Sequence, residues 1–362
     1  MKKPLLISAL AIFSFLANAQ YQFTNKIDIE ATNVKSQGRT GTCWSFSTTS
    51  FIEAEAMRLG HSNVDFAEMF NVYHVYIDKA NNYISRQGKA NFSEGSLAHD
   101  VLRTISKHGL VPQESFTGLM ANESMYNHAE MVSALKGYLD GVLAAGKPSP
   151  KWRDGFIGIL NAYMGAPKTE FNVDGRKHTP KSYANAMGIK ADNYISITSF
   201  THEPFYSSFI LNIPDNYSNQ SFSNLPLSEL MKVVDHALEN GYSIEWDGDV
   251  SEKGFGRKEG IAVLPADMSS KYFDGPVKEI EVTQELRQVN FENQSTTDDH
   301  LMHLIGKAVD QEGNNYYIIK NSWGDYSPYG GLLYMSEAYF KMKTVSITVH
   351  KEAIPKGTGL KL

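Results

Sequence analysis

Cys43 is the single cysteine in a chain of 362 residues. It has no partner for an intramolecular disulfide, and it cannot build a multi-thiolate zinc site. A lone cysteine is either an inert buried hydrophobe or a reactive thiol, and its neighbours decide which. Here they read Gln37-Gly38-Arg39-Thr40-Gly41-Thr42-Cys43-Trp44-Ser45-Phe46. The thiol stands where a helix over 43–59 should begin. Unsatisfied backbone N–H groups and the positive end of the helix dipole favour thiolate over thiol at that point. Gly41 keeps the approach to sulfur open. The side-chain amide of Gln37, with the Cys43 N–H, would make an oxyanion hole for a tetrahedral intermediate.

A thiolate of this kind needs a general base within hydrogen-bond reach, usually imidazole. Eleven histidines are available. His61 follows a helix-stop glycine, and His74, His99, His108 and His236 fall in helical stretches. His300 instead opens an apolar strand, 301–305, which fixes a ring more firmly than a loop does. Strand alternation puts His300, Met302 and Leu304 on one face and Leu301, His303 and Ile305 on the other, so only one of the two histidines can face the thiol. Asn321 follows His300 by 21 positions. A two-strand excursion of that length returns the chain beside His300, where the amide oxygen accepts from one ring nitrogen and leaves the other for sulfur. Trp323 would cover that bond from water.

Other elements must hold these residues. Helical spacing of apolar residues marks 43–59, 66–84, 97–108, 129–143, 152–164 and 227–239. Strand patterns mark 195–198, 209–213, 242–246, 301–309, 316–320, 331–335 and 346–350. Helices cluster early and strands late, an α+β organisation rather than alternating βαβ units. The first residues have a different purpose. Lys2 and Lys3, an apolar run over 5–16 and Ala17-Asn18-Ala19 have the layout of a secretory signal peptide, 1–19, with the mature chain from Gln20. Its apolar run is too short for a membrane span. The expected location is bacterial-type export, to the periplasm or beyond the cell. The formal charge is −6 and becomes −8 without the two leader lysines, which leaves no electrostatic reason to hold nucleic acid. Asp247, Asp249 and Ser251 have part of a calcium-loop spacing, but Glu252 stands where the sharp turn needs glycine. Asp298, Asp299, His300 and His303 make a poor metal site, because a strand sends the two histidines to opposite faces. No metal and no organic cofactor is expected.

The stretch 37–45, the segment Asp299-His300 with its apolar strand and Gly306, and Asn321-Ser322-Trp323-Gly324 resemble the Cys, His and Asn segments of papain-like cysteine peptidases, in that family's order. Runs at 198–206, 213–216, 225–227, 233–255 and 349–355 are similar to the bleomycin hydrolase and aminopeptidase C branch. The resemblance implies a papain-like fold, with a helical part carrying Cys43 at a helix start and a β-rich part carrying His300 and Asn321. It identifies 20–362 as one peptidase domain. Cys43 and His300 lie 257 positions apart, against about 130–150 in ordinary papain-like enzymes, so helical elements are inserted, roughly within 113–275.

The same resemblance makes Cys43, His300 and Asn321 catalytic and Gln37 the oxyanion donor, and it assigns substrate contacts to Gly95 and Ser96. It further implies peptide substrates, hexameric rings, and a C-terminal carboxylate, here that of Leu362, holding the substrate amine. The reaction would be acyl transfer through a thioester, trimming peptides from the N-terminus. The rival readings are an endopeptidase with an open cleft and a non-catalytic peptide-binding protein on the same scaffold.

Overall fold

The computed structural model describes residues 20–120 and 122–360; the expected leader 1–19 and Leu362 lie outside them. The helices are α1 (Cys43–Arg58), α2 (Glu68–Ser85), α3 (Ala98–His108), α4 (Ala129–Ala144), α5 (Trp152–Met164), α6 (Pro180–Ala186), α7 (Leu227–Glu239), α8 (Gln284–Glu292) and α9 (Glu337–Lys343). The early strands are β1 (Thr24–Asp28), the hairpin β2 (Phe171–Val173) and β3 (Arg176–His178), β4 (Tyr194–Thr198), β5 (Ser208–Ile210) and β6 (Ser221–Asn224). The later ones are β7 (Ile244–Gly248), β8 (Phe255–Gly256), β9 (Ile261–Ala262), β10 (His300–Val309), β11 (Asn315–Lys320), β12 (Leu332–Ser336) and β13 (Thr344–His350).

All strands but the β2–β3 hairpin join one sheet, ordered β5-β6-β4-β13-β7-β10-β11-β12-β9-β8, with β1 alongside β10. Its middle is antiparallel: β10 pairs with β7 on one side and β11 on the other. The alternation expected along β10 is present. Leu301 enters the core shared with α1, while Met302 and Leu304 enter the core under α7. β11 runs back from its turn beside β10, which brings Asn321 to the end where His300 stands.

α1 is buried almost all round, as a helix wedged between a sheet and other helices must be. Most of its buried polar residues are therefore paired, Thr48 Oγ1 being an exception. Glu53 accepts from the Phe66 N–H at 2.8 Å and the Thr32 hydroxyl at 2.5 Å, and Lys35 joins Glu68 and Asp65 at 2.6 Å each. Ser50 meets His303 Nδ1 at 2.8 Å and accepts from Lys320 Nζ at 2.7 Å. These bonds lock the helix that carries Cys43 to the two strands that carry His300 and Asn321. Unpaired buried polar groups cost enough that the docking has little freedom to slide.

Two expected elements differ. The strand expected over 209–213 ends at Ile210, because the Asn216 side chain takes the Leu211 carbonyl at 2.9 Å and turns the chain. The polar run after residue 20 contains β1, an edge strand whose exposed pattern gives no apolar alternation to read.

Candidate active site

The loop before α1 is held on both sides. Gln37 N–H donates to Ser322 O at 2.8 Å and Gly324 N–H to Lys35 O at 3.1 Å, so residues 35–37 run antiparallel to 322–324. The Gln37 amide is oriented at both ends: Ser322 Oγ donates to its Oε1 at 2.6 Å, and Nε2 donates to Thr40 O at 2.6 Å. One Nε2 hydrogen remains for another acceptor. Gly38 has φ +65°, and a Cβ there would stand 2.5 Å from Tyr126 O. Thr42 O accepts from Ser45 and Phe46 N–H, starting α1. The Cys43 N–H belongs to the unsatisfied first turn.

Cys43 is 8% exposed. Its sulfur faces the backbone N–H of Leu301, the neighbour of His300. Burial pushes the thiol up to about 12, and the Asp215 and Asp298 carboxylates push the same way, against the Leu301 and Trp44 N–H groups. The His300 ring is buried, and its Nε2–H donates to Asn321 Oδ1 at 2.8 Å. Burial pulls this imidazole down to about 4, opposed by Asn321 and Asp299. Asn321 is itself fixed: its Nδ2 donates to Tyr326 Oη at 2.9 Å, and its Oδ1 also accepts from Ser322 N–H at 2.7 Å. Trp323 lies over the His300 ring with centroids 4.6 Å apart, and Arg257 sits 4.7 Å over the Trp323 ring.

The two shifts have one cause. Burial disfavours a thiolate alone and an imidazolium alone, whereas proton transfer between them creates opposite charges together, each compensating the other. Among the described residues no hydrogen bond yet joins Sγ to the ring. Nδ1 is the nitrogen left over by Asn321, and such catalytic bonds tighten when substrate is bound.

The other wall carries Glu94 and Gly95. Trp44 Nε1 donates to Glu94 O at 2.9 Å, and Gly41 N–H donates to Glu94 Oε2 at 2.6 Å, tying this segment to the start of α1. Lys79 Nζ holds the Gly95 carbonyl, and a Cβ on Gly95 would lie 1.9 Å from Asp215 Oδ2. Ser96 corrects an expectation. It is fully buried and its hydroxyl donates to Asp100 Oδ2 at 2.7 Å, so it faces the α3 start and not a substrate. Leu362 lies outside the described residues, but Gly359 stands against Tyr206 and Leu360 packs on the α7-side core. Tyr326 and Lys79, which orient Asn321 and Gly95, have no spacing that marks them, and Ser322, which orients Gln37, is visible in the sequence only as a member of the Asn321 segment. Among the described residues no three His, Cys, Asp or Glu side chains are grouped to hold a metal.

A histidine buried on a strand, bonded to an asparagine just past the end of the next, with a cysteine opening a helix on the same side of the fold, defines a papain-like arrangement. The profile of the Peptidase C1-like family matches residues 166–361, more than half of the chain, and the chain belongs to that family. It is similar to aminopeptidase W of Lactobacillus delbrueckii subsp. lactis, 24% identical over 92% of this chain and 84% of that one. Aminopeptidase G of the same organism is 23% identical over 91% and 83%. The solved structure of PepW from Lactobacillus rhamnosis HN001 shares the fold, with a TM-score of 0.74 at 17% identity, covering 92% of this chain and 83% of that one.

Proposed function

We propose that the protein is a cysteine aminopeptidase in which Cys43 attacks, His300 shuttles the proton and Asn321 orients the ring. The observation that carries this reading is the 2.8 Å bond between His300 Nε2 and Asn321 Oδ1, which leaves Nδ1 for a sulfur set against the Leu301 N–H. Sγ passes its proton to Nδ1 and bonds to the scissile carbonyl carbon. The oxyanion takes the Cys43 N–H and the remaining Gln37 Nε2 hydrogen. The imidazolium then protonates the leaving amine, and the C–N bond breaks to give a thioester. Water, deprotonated by Nδ1, attacks that thioester; the acid leaves and the proton returns to sulfur. Trp323 keeps water from the His300–Asn321 bond throughout.

The relatives named as aminopeptidases support exopeptidase action on peptides with free amino termini. Export rests on the sequence of residues 1–19, and a mature terminus at Gln20, read by mass spectrometry, tests it. A hexameric assembly rests on the branch resemblance alone; light scattering of the mature chain tests it. The rival reading is an endopeptidase with an open cleft. Matched peptides with free and N-acetylated termini separate the readings. Free-amine substrates should be cleaved at least about ten-fold faster, with a chloromethyl ketone labelling Cys43. Equal cleavage of both refutes the exopeptidase assignment, and no labelling refutes the enzyme.

A further inference from the structure

The sulfur of Cys43 is flanked by carboxylates that lack partners. Both Asp298 oxygens and Oδ1 of Asp247 are shielded from water and have no hydrogen-bond donor among the described residues. Asp247 is fully buried, its Oδ2 held by Ser346 Oγ at 3.0 Å. Asp298 and Asp247 stand against each other, and burial with their mutual repulsion raises both well above the usual carboxylate range, so the empty pair keeps a proton. The Asp299 side chain turns the other way and is satisfied by Ser251 and by Thr297 Oγ1 at 2.7 Å. Asp215 completes the group. It lies against the bare Cα of Gly95, and its charge is felt by Asp247, Asp298 and Cys43 alike. Gly95 and Asp215 are in direct contact, and Asp247 stands opposite Leu301 in the β7–β10 register, so Asp247 points to the face on which Leu301 packs with Cys43.

Little positive charge answers these groups. Lys79 is the near cation: its Nζ holds the Gly95 carbonyl, its charge pulls Asp215 down, and burial pulls the lysine itself down to about 8. Buried carboxylates without donors are unfavourable and persist only where something uses them. The position says what. In a peptide cut after its first residue, the α-nitrogen lies two bonds from the carbonyl carbon under attack, about 2.5 Å away. A group that recognises that nitrogen must stand beside the nucleophile.

We propose that Asp298 and Asp215, backed by Asp247, seat the free α-ammonium group of the substrate and so restrict cleavage to the first peptide bond. This rests on the cysteine-peptidase reading above and supplies from within the fold the carboxylate that the C-terminal tail was expected to bring. As the substrate binds, the pair gives up its proton to solvent, and the ammonium donates to Asp298 and Asp215 and offsets the charge they then carry, while the first carbonyl lies over Sγ. An acetylated terminus brings no positive charge and adds bulk against the carboxylates.

The test compares the mature wild type with Asp298→Asn, Asp215→Asn and a chain lacking residues 356–362. Each is assayed on an aminoacyl coumarylamide and its N-acetyl form. Each Asn variant should lose about 30-fold in kcat/KM on the free amine, mainly through KM, as loss of a charge-assisted hydrogen bond implies. Their slow cleavage of the acetyl form and their labelling by iodoacetamide should hold, and the truncated chain should keep the wild-type preference. Asn variants that keep the preference overturn the proposal, as does its loss on truncation alone. Wild type without any preference sinks the exopeptidase reading itself, a different result. Should Asp298→Asn not fold, Asp215→Asn decides, together with a wild-type assay on the substrate bearing a hydroxyl in place of the amine. Equal cleavage of amine and hydroxyl overturns the assignment.

Discussion

The two walls beside Cys43 are built on opposite terms. On the wall of His300, each polar group that fixes the ring has a partner: Asn321 is bound by His300, Tyr326 and Ser322, Gln37 by Ser322 and Thr40, and Trp323 covers the set. On the wall of Asp298, buried carboxylate oxygens stand without donors. The first wall has the same work in every turnover, so its geometry is finished within the protein. The second is completed only by what enters. Saturated hydrogen bonding marks machinery, and its absence marks a seat.

The comparison breaks most sharply at sulfur, which both walls serve. Cys43→Ala should lower kcat/KM by about 10⁴-fold or more, since residues acting as a unit fail together. Activity within tenfold of wild type would mean that neither wall serves a thiol. Next come the fixed groups of the first wall. Gln37→Ala removes an oxyanion donor and should cost about 10²- to 10³-fold in kcat. Asn321→Ala, which frees the ring, should cost about 10- to 100-fold. Both should leave KM nearly unchanged, and a loss expressed mainly in KM would erase the distinction between machinery and seat.

The smallest effect is on stability, and there the walls differ in sign. Burial lowers His300 to about 4, so its contribution is present above about 6.5 and is lost as pH falls toward 4. Burial raises Asp247 and Glu245 to about 8 and raises Asp298 as well. Their contribution is present below about 4 and is lost as pH rises through 8. Asp298→Asn removes one of these acids and gives Asp247 a donor. Its melting temperature should exceed wild type by about 2 °C at pH 8.5, with a smaller gain at pH 5. A lower melting temperature at both values would show that the carboxylate is a structural support. A binding seat that destabilises the empty protein fits the usual trade between stability and function.

The reactive side chains were legible because their chemistry constrains types and spacing along the chain. A lone cysteine at a helix start, a histidine opening an apolar strand and an asparagine one hairpin later can be read one segment at a time. The long helices were equally plain, α1, α2, α3, α4 and α5 beginning and ending within about two residues of their periodic patterns. β1 was not, since an exposed edge strand has no buried face to impose alternation.

Asp298 was on the page as well, two residues before His300, and read as one carboxylate of a poor metal site. Only folding brings it to Asp247 on the neighbouring strand, and only folding removes the water from their unpaired oxygens. Residue type and local order are properties of the chain, and they singled out Cys43 and His300 as candidates and determined the family. Burial and the absence of a partner are properties of the packed molecule. A solvated aspartate is unremarkable, and the same aspartate enclosed in the fold is held neutral until a counterion arrives.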